Sequence, residues 1–280
     1  MRVRLAPAST QKIAKVVIWA AALSVIGLLL FIIAYILLKG LPSLNWQFLT
    51  QSPTDMGRSG GILPTVLGTL MVTAVAILVA TPLGVGTAFY LTEYTREGIV
   101  TKVIRFSAES LSGIPSIVYG LFGFIFFVVY LKLGWSVISG GLTLAVMILP
   151  TIIRTSEEAI LTVPRLYREV SFSLGGTRWQ TISGVVFRTA LPGIATGVIL
   201  GVGRSIAETA AVILTAGSSL RMPTSLFSPA RTMAVHFYIL AREGISLERA
   251  YGTAALMIIL ILLINIGANM LVNRYVAKGR

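Results

Sequence analysis

Two ionisable residues, Arg204 and Glu208, stand inside one of the most apolar stretches of this 280-residue chain, GVGRSIAETAAVIL. Four positions separate them, so a continuous helix would carry both on one face. A planar guanidinium can donate parallel hydrogen bonds to the oxygens of an oxyanion. The pair therefore has two interpretations. It is either a self-neutralising structural ion pair, or an arginine that contacts a passing anion while the carboxylate orients it and repels fully ionised anions.

Long apolar helices must position this pair. Five runs without a charged residue each reach the roughly 20 residues that cross a bilayer, and a sixth run, 189–216, is interrupted only by Arg204 and Glu208. The five runs are 16–38, 62–91, 111–131, 133–153 and 250–273. Only 12% of the residues are charged, whereas soluble domains have about 25%. The sequence predicts an all-α integral membrane protein with six transmembrane helices.

The net charge of +13 indicates how these helices are oriented. With the N-terminus inside, 15 of the 22 Lys and Arg residues other than Arg204 lie on the cytoplasmic side, as the positive-inside rule requires. Nucleic-acid binding is not needed to explain the charge. The predicted parts are a cytoplasmic tail 1–15, an anchor helix 16–38, an extracytoplasmic loop 39–61, a core 62–272 with five spans and a cytoplasmic loop 154–193, and a cytoplasmic tail 273–280.

The cytoplasmic loop 154–193 has internal structure of its own. Its sequence predicts a helix, a glycine corner and a second short helix, because it holds the residues that begin, line, end and restart helices. These are, in order, Pro164, the apolar stripe Leu166, Val170 and Leu174, the corner Gly175 and Gly176, and the capping box of Thr177 with Gln180. Such a pair of helices either rests on the lipid surface or presents a knob to a cytoplasmic partner.

Catalytic and metal chemistry find little support in the composition. The chain has no Cys, one Asp (Asp55) and one His (His236), which leaves no metal cluster and no catalytic triad. We therefore predict no enzyme and no metal site, and a surface or interfacial position for His236. Gly113 and Pro115 predict a bend, either a packing kink or a stretch of backbone exposed to a permeant solute.

The segment REVSFSLGGTRWQTISGVVFRTALPG, residues 168–193, resembles the EAA loop of bacterial ABC-importer permeases. Glu169 and Gly175 match that pattern in type and spacing, whereas Arg188 stands where proline is usual. In that family the loop is a coupling helix seated in a cleft of a separate ATPase. The resemblance implies that Glu169, Leu174, Gly175, Gly176 and Thr177 couple to such a subunit. Because the chain has no G-x-x-x-x-G-K-[ST] motif, ATP and Mg would be bound by the partner, with no cofactor in this chain.

Over roughly residues 60–272 the chain is similar to phosphate-specific importer permeases of the PstA type, most clearly in SGIPSIVYGLFG. The resemblance implies an ABC type I importer permease fold in a bacterial or archaeal cytoplasmic membrane. It also implies a phosphate pathway that includes Arg204, Glu208 and Arg154. The implied partners are a homologous PstC-like permease, a PstB-like ATPase dimer and a PstS-like extracytoplasmic phosphate-binding protein.

Three alternatives remain open at this point. The substrate could be another oxyanion, such as sulfate, molybdate or a phosphonate. A secondary transporter or channel would share the helices and the buried charges but would not need the coupling loop. Arg154, at the predicted inner end of helix four, is either a pathway residue or an ordinary positive-inside residue.

Overall fold

The computed structural model describes residues 7–96 and 98–278, and their side chains over 11–96 and 98–274. The predicted tail before residue 7, Glu97 and the last two residues lie outside this description. Most of the described chain is helical. Its helices are α1 (Pro7–Gly40), α2 (Trp46–Thr50), α3 (Leu63–Phe89), α4 (Ile99–Ser112), α5 (Ser116–Gly123), α6 (Val137–Leu161), α7 (Arg165–Ser173), α8 (Arg178–Thr181), α9 (Phe187–Ala207), α10 (Ala210–Thr215), α11 (Met233–Arg242) and α12 (Leu247–Lys278).

Shorter elements complete or connect these helices. π-helical turns prolong α3 (Tyr90–Tyr94) and α5 (Phe124–Tyr130), and a third, Ile182–Val186, joins α8 to α9. A small antiparallel hairpin pairs β1 (Pro53–Thr54) with β2 (Ser59–Gly60).

Five of the helical segments are long and apolar enough to cross a membrane, and the bent pair α4–α5 makes six if it is one span. This agrees with the six predicted helices, with one difference in shape. The third predicted span does not run straight, because α4 and α5 meet at 103° around Gly113 and Pro115. The residue before a proline is disfavoured in helical conformation, so the bend lies where the sequence predicts it.

The packing contacts define the direction of each helix. Gly84 lies against Ile152 and Gly141 lies against Val75, so α3 and α6 run parallel. Gly193 lies against Ala159 and Gly197 lies against Thr155, so α9 runs antiparallel to α6. Both ends of the described chain therefore lie at the same end of the bundle as α7 and α8, which we call the basic end. The opposite end, with the β-hairpin and α11, is the hairpin end.

The core and the outermost helix differ sharply in burial. The centre of the bundle is a cluster of fully buried side chains from α3 and α6, including Val72, Leu144, Met147 and Ile148. In contrast, none of the most apolar window of α1 is buried within the chain. This helix packs on α12 through Gly40 and Tyr35 and leaves its remaining apolar surface open, as is expected for contact with lipid or another subunit.

Candidate functional site

The segment with the two charges is a broken helix. The continuous helix that the sequence predicts over 189–216 is wrong: α9 ends at Ala207, Glu208 is extended (φ −74°, ψ 128°), and α10 begins at Ala210. Tertiary packing explains the break. A Cβ on Gly120 of α5 would come within 2.8 Å of the Ala211 Cα, and one on Gly140 of α6 within 2.8 Å of the Ala216 Cβ. These glycines let α10 pack closely against two neighbouring helices.

The break separates Arg204 from Glu208, which was predicted to pair with it and orient it. The Glu208 carboxylate accepts a hydrogen bond from the Ala211 N–H at 3.3 Å, at the start of α10. The Arg204 guanidinium is partly exposed and makes no hydrogen bond or ion pair with any residue that the structure describes. The buried Tyr119 lies near enough to interact with it electrostatically. The self-neutralising ion pair is therefore absent from the described part of the chain.

Arg204 lies near the middle of the bundle. Gly201, three residues before it, faces Ile77, Ile148 and Ile152, which belong to the central parts of α3 and α6. A charged arginine near the centre of a bilayer costs about 3 kcal/mol on insertion scales when nothing compensates it. With Glu208 directed elsewhere, the compensating group must come from outside the described chain, as water, an anion or a partner.

Small residues fix the helix that carries Arg204. Residues 193, 197 and 201 recur every fourth position, which predicts close helix contact. The structure confirms this, since a Cβ on Gly193 would lie 2.5 Å from the Ala159 Cβ and one on Gly197 would lie 1.9 Å from the Thr155 Oγ1. The α9 backbone therefore lies directly on α6, and Arg204 projects from a firmly packed helix.

Arg154 lies apart from Arg204, toward the basic end. The next residue, Thr155, lies against Gly197, and Arg204 is seven residues beyond Gly197, or roughly 10 Å along the helix. The Arg154 side chain is 67% exposed and pairs with Glu158 at 3.3 Å. It lines a cleft of about 480 Å³ between α4 and α6, and the other charged side chains there are Arg105, Glu109, Glu157 and Glu158. The two predicted pathway arginines thus occupy different levels of the bundle.

The predicted helix, corner and capping box are confirmed in the basic-end loop. Gly175 has a φ of +82°, and Thr177 and Gln180 form a reciprocal capping box. Of the predicted coupling residues, Leu174 is 83% exposed and Glu169 is also exposed. One detail is different: the second helix is not a separate short one, because α8 continues through the π turn into α9. The corner is therefore continuous, through α8, with the helix that carries Arg204.

The exposed part of this loop, α7 with the corner and α8, forms a knob with an apolar surface. A groove of about 700 Å³ runs across it. Four exposed apolar side chains line this groove: Leu166, Tyr167, Val170 and Leu174. Phe172 and Trp179 are exposed elsewhere on the knob. A contiguous apolar patch of this kind is typical of a protein-interaction site.

An ion pair that the sequence analysis missed holds the knob to the bundle. Arg168 of α7 donates three hydrogen bonds to the Glu93 carboxylate, the shortest at 2.6 Å, and two more to the Val163 and Ile160 carbonyls. Both side chains are largely buried, with 19% and 12% exposure. The partners are 75 residues apart, so no local pattern predicts them. Arg168 ties the knob to the ends of α3 and α6.

Of the two positions predicted for His236, surface or interfacial, the surface one is wrong. The histidine is 1% exposed in α11, with its Cε1 against Gly57, which has a φ of +101°, and with Arg231 Nη1 3.4 Å from its Nδ1. Burial, and secondly the charge of Arg231, lower the pKa of His236 to about 4. In the described residues no group of three His, Cys, Asp or Glu side chains could hold a metal ion.

A bundle of five or six membrane-length helices with a charged residue near its centre defines a multi-pass membrane protein. Residues 80–278 match the family described as binding-protein-dependent transport system inner membrane component. The chain belongs to this family and is a multi-pass permease subunit of an ABC importer, not itself an enzyme.

Individual relatives agree with this assignment. The chain is 34% identical to the probable ABC transporter permease YqgI of Bacillus subtilis (strain 168), over 94% of this chain and 95% of that protein. It is 33% identical to the phosphate transport system permease PstA of Pasteurella multocida (strain Pm70), over 86% and 87%. Its fold is similar to a chain of a bacterial alginate ABC transporter solved with an alginate pentasaccharide-bound periplasmic protein, at TM-score 0.67 and 15% identity, over 95% and 97%.

Proposed function

We propose that this subunit admits inorganic phosphate across the cytoplasmic membrane and that the anion contacts Arg204 on its way. One observation carries the proposal: a guanidinium at the centre of the bundle has no hydrogen-bond or ion-pair partner in the described chain. Leaving such a charge uncompensated among apolar helices costs free energy. An oxyanion supplies the opposite charge and two acceptor oxygens with the spacing of the guanidinium fork.

The neighbouring carboxylate supports phosphate over other oxyanions. At neutral pH phosphate keeps a proton that it can donate to a carboxylate, whereas sulfate is fully ionised and is repelled. Glu208 uses Oε1 for the Ala211 N–H, and its second oxygen has no hydrogen-bond partner in the described chain. The similarity to PstA proteins supports the same substrate. Sulfate, molybdate and phosphonates are the alternatives that a competition experiment tests.

Transport would be driven by a separate ATPase dimer that binds ATP and Mg and receives the knob in a cleft. The exposed Leu174 and the exposed corner at Gly175 and Thr177 support this docking, with Glu169 and Gly176 beside them. Closure of the ATPases would move the knob and switch the pathway between outward and inward access. The basic end would be cytoplasmic, in agreement with its excess of Lys and Arg.

The two remaining partners would bind at the side of the bundle and at the hairpin end. A homologous permease chain would cover the open side of the pathway, and an extracytoplasmic phosphate-binding protein would dock at the hairpin end. Arg154, which is exposed in its cleft toward the basic end, would attract the anion as it leaves Arg204.

The test is ATP-dependent uptake of labelled phosphate by the complete complex reconstituted into vesicles with its binding protein, with sulfate as competitor. We expect uptake that requires ATP and is unaffected by excess sulfate. Uptake of sulfate in preference to phosphate would contradict the substrate, and uptake without ATP would contradict the class of transporter.

A further inference from the structure

The break between α9 and α10 holds Glu208 in one of two positions that the chain allows. In a continuous helix, residues four apart are neighbours, and a carboxylate at 208 would lie within reach of Arg204. The extended conformation of Glu208 instead directs its carboxylate to the start of α10. The same two residues are therefore paired or separate according to the conformation of a single joint.

The two helices at this joint both pack on α6, but each has a further attachment of its own. α9 is continuous with the knob through α8 and the π turn. α10 is fixed by its close contacts with Gly120 of α5 and Gly140 of α6. A force on the knob thus acts first on α9, and a difference in motion between the two helices must be absorbed at Glu208 and Thr209, as in other hinges at element ends.

Few bonds hold the joint in its broken form. The Glu208 N–H reaches the Ser205 carbonyl only at 3.4 Å, and the Thr209 N–H has no hydrogen bond within the described residues. The buried Ser205 hydroxyl also lacks a partner there. Joining the helices would return backbone groups to the regular i to i+4 pattern, so the broken and joined forms exchange one set of bonds for another.

We propose that Glu208 is a displaceable counter-ion for Arg204. While the helix is broken, the guanidinium is open to an oxyanion. When α9 and α10 join into one helix, Glu208 takes the guanidinium and the anion is released. This inference rests on the proposed function, and it assigns Thr209 as the hinge residue of the release step.

Proline at position 209 tests the hinge directly. Proline restricts the residue before it to extended conformation, which Glu208 already has, and it lacks the N–H that Thr209 does not use. Only the φ of residue 209 must move, from −113° to about −65°. Thr209→Pro therefore holds the joint open, whereas Thr209→Ala leaves both forms accessible and is the matched control.

In the reconstituted complex we expect Thr209→Pro to reduce phosphate uptake at least tenfold, with phosphate retained on the complex after ATP hydrolysis. Thr209→Ala should transport normally. Uptake by Thr209→Pro at the rate of Thr209→Ala would overturn the inference while leaving the proposed function intact. Failure of the wild-type complex to take up phosphate at all would instead contradict the proposed function.

A second variant keeps the inference testable if the proline variant does not assemble. Glu208→Gln preserves the shape and the acceptor for the Ala211 N–H but cannot neutralise Arg204. Labelled phosphate should then stay on the complex at least ten times longer than on the wild type in a single turnover. Release at the wild-type rate would exclude Glu208 as the displacing group.

Discussion

Arg168 and Arg204 are both removed from free solvent, yet their surroundings are opposite. Arg168 uses all three of its guanidinium nitrogens, in five hydrogen bonds to Glu93 and two carbonyls. Arg204 has no such bond in the described chain, although it lies deeper in the bundle. An arginine that is hydrogen-bonded to other elements holds them together, whereas one without such bonds is available to bind a group that the chain does not contain. This comparison separates the structural charges of the molecule from its candidate binding charge.

The largest expected effect is on transport, from Arg204→Ala. If the guanidinium donates two charge-assisted hydrogen bonds of about 1.5–3 kcal/mol each to the anion, phosphate uptake should fall by about 100-fold or more. Because Arg204 has no described partner, assembly of the complex should not change, which co-purification measures. Arg204→Lys keeps the positive charge but cannot donate two parallel hydrogen bonds, so its phosphate uptake should lie between those of the wild type and Arg204→Ala. Uptake at the wild-type rate would remove Arg204 from the pathway.

Arg168→Ala should have the complementary effect, on stability. It leaves the Glu93 carboxylate buried without its partner, which typically costs about 3 kcal/mol or more. We expect a lower midpoint in thermal unfolding of the purified complex. Arg165→Ala is the matched control, since Arg165 is exposed in the same helix and has no partner among the described residues. Equal midpoints for the two variants would show that the ion pair does not hold the knob.

Gly175→Leu tests whether the knob transmits force to the helix of Arg204. Its φ of +82° is in the region that disfavours side chains, so leucine strains the corner by about 1–2 kcal/mol. We expect ATP hydrolysis to continue while phosphate uptake per ATP falls several-fold. Gly184→Leu adds the same side chain at an exposed glycine with open space around it and should leave the ratio unchanged. An unchanged ratio of phosphate uptake to ATP hydrolysis in Gly175→Leu would contradict the docking of the knob on the ATPase.

The smallest expected effect concerns His236, a titratable group beside a cation. Its pKa is about 4 in the folded protein and about 6.5 when unfolded, so the unfolded chain binds more protons between these values. Above pH 6.5 this histidine should not lower the free energy of unfolding. As the pH drops from 6.5 toward 4, the free energy of unfolding should fall by roughly 1.4 kcal/mol per pH unit. Thermal unfolding from pH 7 to pH 5 measures this slope, which His236→Gln should reduce. An unchanged slope would assign the pH dependence to other groups.

The sequence predicts the parts of this fold that local physics determines. Apolar runs must be long enough to cross a bilayer, so the six spans are readable from hydropathy. The corner at Gly175 and the cap at Thr177 depend on neighbouring residues alone, and both are present in the structure.

Contacts between distant residues explain what the sequence did not predict. Ala207 to Ala211 are mostly good helix formers, yet the helix breaks there because Gly120 and Gly140 admit α10 to a different packing position. The pairing of Arg168 with Glu93 and the burial of His236 beneath Gly57 likewise join separate segments. The position of Arg204 within a membrane-length helix was predictable, but its separation from Glu208 was not.

The central claim is that an oxyanion, not Glu208, compensates Arg204 while the helix is broken. An experimental structure of the assembled complex, trapped with phosphate during turnover, tests it most directly. The account predicts a tetrahedral anion within hydrogen-bond distance of the Arg204 guanidinium and an extended Glu208. A guanidinium that faces acyl chains, or that is sealed in a dry contact while phosphate lies elsewhere, would contradict it.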